Sequence, residues 1–177
     1  EYLFEGLAAG TYTVTVDETT LPADVEQTFD DDGTLTANVS VTSIPLSGSD
    51  LDQDFGYAPL LGSIGDFVWL DTNADGDQAG EDGIAGVTVT LTAPDGSTQT
   101  DTTNSAGLYL FTDLPAGTYT VTVDESTLPA DLRQTFDADG LATASESVYA
   151  LAAGENDRAQ DFGYTPLLGT IGDFVWF

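Results

Sequence analysis

Residues 62–84 read GSIGDFVWLDTNADGDQAGEDGI, and this stretch decides how the rest of the chain is read. It opens as a strand, with Ile64, Phe67, Val68, Trp69 and Leu70 as its apolar content. It then becomes a loop carrying five carboxylates in twelve residues: Asp71, Asp75, Asp77, Glu81 and Asp82. Gathering that many like charges without a cation costs free energy. Calcium loops present side-chain oxygens at their first, third and fifth positions and then turn sharply at a glycine. Asp71, Asn73 and Asp75 stand at those three positions, and Gly76 follows. Position seven of such loops ligates through its backbone carbonyl, so Asp77 fits whatever its side chain does. A closing carboxylate belongs at position twelve, where Asp82 stands with Glu81 beside it. A solvated acidic turn would use the same residue types. The ordered spacing favours a bound Ca2+ ion over that simpler reading.

Outward from this stretch, the chain repeats itself. Tyr2-Leu3-Phe4 returns as Tyr109-Leu110-Phe111, and TYTVTVDE from Thr11 returns from Thr118. QTFD at Gln27 returns at Gln134, DFGY at Asp54 returns at Asp161, and IGDFVW at Ile64 returns at Ile171. Every match is offset by 107 residues, so the repeating unit is domain-sized and each copy can own a core. The expected organisation is therefore 1–60 as the latter part of one repeat, 61–167 as a complete repeat, and 168–177 as the first strand of the next.

Within the complete repeat the hydrophobic period is two. Val87, Val89 and Leu91 alternate with Thr88, Thr90 and Thr92; Tyr119, Val121 and Val123 alternate with Thr120, Thr122 and Asp124. That is the pattern of half-buried strands, apolar inward and threonine outward. Turn signals at Pro94-Asp95-Gly96-Ser97, Asn104-Ser105-Ala106-Gly107 and Leu114-Pro115-Ala116-Gly117 separate them. No stretch carries a helical period. The expected fold class is all-β: tandem β-sandwiches of about seven strands each. Phe67, Trp69, Tyr109, Phe111 and Tyr119 are read as core packing. Ala58-Pro59-Leu60-Leu61 and Thr165-Pro166-Leu167-Leu168 are read as short, proline-stiffened linkers that align the units as a rod.

Charge narrows the function further. The chain has 31 acidic and 2 basic residues, a net charge of −29, and no lysine, histidine or cysteine. Nothing in it neutralises phosphates, which excludes nucleic acid as a partner, and an anionic membrane surface fails for the same reason. Disulfides, thiol chemistry and the usual structural zinc sites are ruled out by composition. No 18-residue apolar run is present, so direct membrane insertion is not expected. An enzyme is not expected either, because carboxylates are plentiful but no other catalytic side chain converges with them. Asp137 and Asp139, like Asp30 and Asp32 before them, are read as solvated turn residues, as are Asp124 and Glu125. Asn38-Val39-Ser40 is a glycosylation sequon that the next copy lacks.

The motifs GSIGDFVWLDTNADGDQAGEDGIAGVTVTL, GLYLFTDLPAGTYTVTV, QTFDADG and QDFGY together resemble the B-type repeats of the Ser-Asp-repeat surface adhesins. These are the SdrD B-like domains, related to collagen-adhesin B-type and prealbumin-like or Ig-like sandwiches. The resemblance implies a secreted, calcium-binding β-sandwich at a cell surface, serving as a stalk or filament module. It places calcium ligands at Asp71, Asn73, Asp75, Asp77 and Glu81. Relatives often have one more residue before the closing glutamate; here Glu81 is at position eleven and Asp82 at twelve, so both remain candidates. The Lys–Asn isopeptide bond of the wider class is impossible without lysine. The implied partners are neighbouring repeats or head-to-tail copies of the chain itself. The alternative is an adhesive module that binds a host, matrix or cell-surface ligand.

Overall fold

In the computed structural model, which describes residues 1–173, strand β5 (Gly62–Leu70) is the longest strand and the axis of the larger unit. Its apolar run from Phe67 to Leu70 is explained by cover on both faces, with Val68 in the core and Trp69 buried outside it. The first half of β5 pairs antiparallel with β9 (Leu108–Leu114) and parallel with the two-residue β13 (Asn156–Asp157). Its second half pairs antiparallel with the two-residue β6 (Asp82–Gly83) and parallel with β14 (Phe162–Pro166). Beyond β14 lies β11 (Leu132–Asp137), which closes that edge of the sheet.

A second sheet has the order β12 (Glu146–Leu151), β10 (Gly117–Val123), β7 (Thr88–Thr92) and β8 (Thr98–Thr102), all antiparallel. The inner faces of the two sheets share one core. Val89, Leu91, Tyr119, Val121, Val123 and Leu151 come from this second sheet; Ile64, Val68, Tyr109, Phe111, Leu114, Phe162 and Tyr164 come from the β5 sheet. The alternation read in β7 and β10 is the alternation observed. Among the described residues the larger unit is an all-β sandwich with ten strands rather than about seven, because the strand pairing includes β6 and β13.

Two of the five aromatics read as core stand elsewhere. Tyr109, Phe111 and Tyr119 join the core, but Trp69 is buried outside that cluster. Odd and even residues of a strand face opposite ways. Val68 therefore takes the core side while Phe67 and Trp69 share the other. Phe67 is only half-buried and stacks on Trp69, with ring centroids 5.9 Å apart. Trp69 also packs against Phe136 at 5.2 Å and lies over Gly163, where an added Cβ would sit 2.6 Å from its ring.

The chain divides into two compact units, Glu1–Leu60 and Leu61–Phe177. The first holds β1 (Gly10–Thr15), β2 (Val25–Asp30), β3 (Val39–Ile44) and β4 (Phe55–Pro59). These pair β1 with β3 and β2 with β4, in the registers that β10–β12 and β11–β14 use 107 residues later. The first unit buries no large apolar side chain: Tyr12, Val14, Val16, Phe55 and Tyr57 are half-buried where their counterparts in the second are buried.

The linker readings shift slightly. Pro59 and Pro166 end strands β4 and β14, and the following N–H groups donate to Asp24 and Asp131 carbonyls at 2.8 and 2.7 Å. The proline thus sits at a strand end, where its missing donor costs nothing. Of the segment 168–177, residues 168–173 carry no regular structure and Ile171 is fully exposed; 174–177 lie outside the described residues. No helix among the described residues is long and apolar enough to cross a membrane.

Candidate metal centre

The acidic loop is a closed excursion between two hydrogen-bonded strands. At its base Leu70 of β5 faces Asp82 of β6, and the Asp71 N–H donates to the Tyr164 carbonyl of β14 at 2.8 Å. The backbone of Asp71 is therefore fixed by the sheet, and its side chain is fully buried at the head of the loop. The loop winds round it: Asp71 Oδ1 accepts the Asp75 N–H at 3.2 Å and Oδ2 accepts the Gly76 N–H at 3.0 Å. Gly76 adopts φ 77°, the left-handed conformation that the sharp turn demands of its sixth position.

Successive side chains then cap the backbone two residues on. Asn73 Oδ1 accepts from Asp75 N–H at 3.0 Å, Asp75 Oδ1 from Asp77 N–H at 2.8 Å, and Asp77 Oδ1 from Ala79 N–H at 2.9 Å. The Asn73 amide also donates to Asp75 Oδ2 at 2.8 Å. Glu81 reaches back to the start of the loop, where its oxygens accept from the Thr72 N–H at 3.2 Å and the Thr72 hydroxyl at 2.9 and 3.0 Å. Asp82 is exposed in β6. The structure thus joins Asp71, Asn73, Asp75 and Asp77 into one hydrogen-bonded spiral and clasps it with Glu81. Among the described residues, no three or more acidic, cysteine or histidine side chains converge as a ready-made cage.

Burial pushes the Asp71 carboxyl up, but surrounding dipoles outweigh it and hold it below the ordinary carboxylate value. These are the Thr135 hydroxyl and the N–H groups of Gly76, Ala74 and Asp75. The Thr135 hydroxyl sits beside Asp71 outside hydrogen-bonding geometry, and its oxygen is buried without a partner. Asp71 is therefore a buried, ionised group with no cationic side chain in its loop. Each oxygen that accepts one N–H retains a second lone pair. The donor set of two carboxylates, a carboxamide, a backbone carbonyl and a closing glutamate is all hard oxygen, which fits calcium and not zinc.

Sequence reading missed a second acidic centre behind the loop. Asp157 and Asp161 are buried beside Gln160, whose amide donates to Asp157 Oδ2 at 2.8 Å and whose carbonyl oxygen accepts from Ser147 at 2.7 Å. The buried Tyr109 hydroxyl donates to the Gln160 backbone carbonyl. Asp161 Oδ1 accepts the Phe67 N–H at 2.9 Å, and its Oδ2 takes a longer bond from Gln78 of the acidic loop at 3.4 Å. The 107-residue offset is the signal that finds part of it: Ser40 donates to Gln53 at 2.6 Å in the first unit as Ser147 does to Gln160.

Asp137 is not the solvated turn residue its D-x-D-G setting suggests. It is 5% exposed, accepts from Gln134 at 2.8 Å through Oδ2, and leaves Oδ1 buried without a hydrogen-bond partner. Its copy Asp30 does the same with Gln27 at 2.9 Å. Asp124 and Glu125 are exposed, as their turn setting suggests, Asp124 capping the Ser126 N–H at 3.0 Å and Glu125 accepting from Ser145 at 2.7 Å. The sequon residue Asn38 is buried, and the Nδ2 that a glycan would join donates to Glu18 at 2.6 Å.

Burial, with the charges of Asp66 and Asp157, lifts Asp161 to about 6; burial, with Asp139, lifts Asp137 to about 6. Both bind protons more tightly in the folded chain than in the unfolded one, where aspartates titrate near ~4. Between about pH 4 and about 6, stability therefore falls as pH rises; the penalty is absent below that window and complete above it. In chelator, the melting temperature is expected to climb as pH is lowered from 7.5 to about 4.5. Replacing both residues by asparagine should flatten that climb. A slope unchanged in the double variant would remove these two groups from the account.

The comparisons bear on the same region. The profile of the SdrD B-like domain matches residues 62–164. Serine-aspartate repeat-containing protein E of Staphylococcus aureus (strain MSSA476) is 36% identical over 192 residues, covering 99% of this chain and 16% of its own length. The bone sialoprotein-binding protein of Staphylococcus aureus (strain MRSA252) is 34% identical over 190 residues with the same coverages. The chain thus spans about one sixth of the curated relatives it matches. Among solved structures, the minor pilin GBS52 of Streptococcus agalactiae matches 97% of this chain and 66% of its own, at 13% identity and TM-score 0.47.

Proposed function

Because the chain belongs to the SdrD B-like domain family, we propose that it is a structural repeat module of a cell-surface protein, stiffened by calcium and set in a stalk or filament. Its place is extracellular, at the cell surface. The observation that carries the calcium part is Asp71, a fully buried, ionised carboxylate at the head of a loop of hard oxygen donors. A buried charge needs a partner, and the loop offers it no basic side chain. Asp71, Asn73, Asp75, the Asp77 carbonyl and Glu81 would hold the ion, with Asp82 beside them at the base. Calcium supplies positive charge that offsets the repulsion among these carboxylates and ties Glu81 to the head of the loop. Because the loop starts on β5 and ends on β6, fixing it fixes the strand on which the sandwich is assembled.

In this reading the partners are neighbouring repeats, in line along a rod, and the chain has no catalytic task. Thermal melts in millimolar calcium and in chelator test it. With calcium at about 100 times its dissociation constant, linkage adds about 2.7 kcal/mol to the larger unit. Identical midpoints at low salt would overturn the calcium part. The second reading, an adhesive module, is favoured by the name of the bone sialoprotein-binding relative. Saturable binding of bone sialoprotein to this chain would replace the stalk reading with that one.

A further inference from the structure

We propose that Asp139 guards the open edge of β12, where its carboxylate bars a second copy of the chain from pairing its own β12. Among the described residues β12 is the outermost strand of its sheet, paired with β10 alone. The Val123 N–H donates to the Ser145 carbonyl, which fixes the alternation of the ladder beyond it. Ser147, Tyr149 and Leu151 therefore turn their main-chain groups to β10, while Glu146, Val148 and Ala150 turn theirs outward. An edge of that kind is a template for another strand. Asp139 closes it at the centre, where its Oδ2 accepts the Val148 N–H at 2.9 Å. The Thr143 hydroxyl donates to the Glu146 carbonyl beside it at 3.3 Å.

The turn that carries the guard is anchored from below. Asp137 is buried and accepts the Gln134 amide at 2.8 Å, and the Gly140 N–H donates to the Asp137 carbonyl at 3.2 Å. Gly140 adopts φ 100°, a conformation that a side chain would strain. The first unit repeats every part of this arrangement. Asp32 Oδ2 accepts the Val41 N–H of β3 at 2.8 Å, Gln27 holds Asp30 at 2.9 Å, and Gly33 turns at the same φ of 100°. That unit is less buried than the second, yet it keeps the contact, so the guard is a property of the repeat. Sheet edges are commonly guarded by lysine, and this chain has none. A carboxylate takes the role here by accepting the N–H that a visiting strand would need.

The guarded strand is otherwise well suited to pair with itself. Antiparallel pairing about a two-fold axis at Val148 sets Val148 beside Val148 of the second copy, and Glu146 beside its Ala150. No like charges then face each other, and the Val148 side chain, 46% exposed, gains an apolar neighbour. The central pair would exchange two main-chain hydrogen bonds, each from an N–H that Asp139 now holds. Such a contact is isologous, the same patch on both copies. With Asp139 in place, each copy must first give up a charge-assisted hydrogen bond.

The chain has no cysteine, so Val148→Cys supplies a single thiol with which to trap that pair. Across a hydrogen-bonded antiparallel pair the Cα atoms stand about 5.5 Å apart, within disulfide reach. The complete chain is held in calcium under mild oxidation, and the appearance of linked dimer is followed. Adding Asp139→Ala should make linkage at least about tenfold faster, because opening the edge no longer costs a charge-assisted hydrogen bond. Asp139→Asn discards the charge but keeps an oxygen for the Val148 N–H, and should link at the slow rate. If Asp139→Ala loosens the turn, Asp139→Ser, which suits the turn and is too short to reach β12, decides in its place. Linkage no faster in these variants than with Asp139 intact overturns the proposal. Asparagine as fast as alanine also overturns it, since charge alone would then keep the copies apart.

Discussion

Replacing Asp71 with alanine should abolish the calcium-dependent rise in melting temperature and lower the stability of the larger unit in calcium by about 3–4 kcal/mol. Two contributions add. The first is the linkage free energy, about 2.7 kcal/mol when calcium stands at 100 times its dissociation constant. The second is the set of hydrogen bonds that Asp71 accepts inside the loop. Without it the Gly76 N–H loses its acceptor, while Asp75 keeps the one from Asn73, so about 1 kcal/mol follows. In a unit of this size the sum corresponds to a fall on the order of 15 °C. Asp71→Asn separates the two, since it preserves shape and removes charge. Asp95→Asn, in an exposed turn, is the control and should leave the calcium response intact. Asp71→Ala retaining the full calcium shift would take the site away from this loop.

Trp69→Ala should destabilise the same unit by about 3 kcal/mol, the lower end of the usual loss for a buried tryptophan. The ring is 1% exposed and fills the space between Phe67, Phe136 and Gly163, and nothing on β5 replaces it. The loss sits at the lower end because Trp69 Nε1 is buried without an acceptor, and removing it relieves a desolvation cost. Trp69→Phe keeps most of the contact and discards the orphaned donor, so its cost should be much smaller. Denaturant unfolding of both variants in calcium measures the difference. Equal losses for alanine and phenylalanine would mean that the ring's volume is not what matters.

Much of the sandwich was legible because its strands are half-buried. Val87 to Thr92 and Tyr119 to Val123 alternate so cleanly that inner and outer faces follow from the letters alone. The pairing of β5 with β14 was not legible, since it joins residues almost a hundred positions apart and parallel partners leave no turn between them. β6 and β13 are two residues each, too short for any period to register. Trp69 was misplaced for a related reason: β5 is covered on both faces, so apolar character no longer tells one face from the other. The loop's ligand order was readable because those positions are consecutive. The nearness of Thr135 and the burial of Asp137 depend on elements folding over the loop, and no local pattern records that.

The parallel alignment of β5 with β14 has a mechanical consequence. These are the first and last strands of the larger unit, and they lie side by side pointing the same way. Tension applied at Gly62 and at Pro166 drags them past each other along their length. The bonds between them are then loaded together in shear, whereas a hairpin pulled at its open end gives way one bond at a time. A sandwich wired in this order resists being drawn out from its ends.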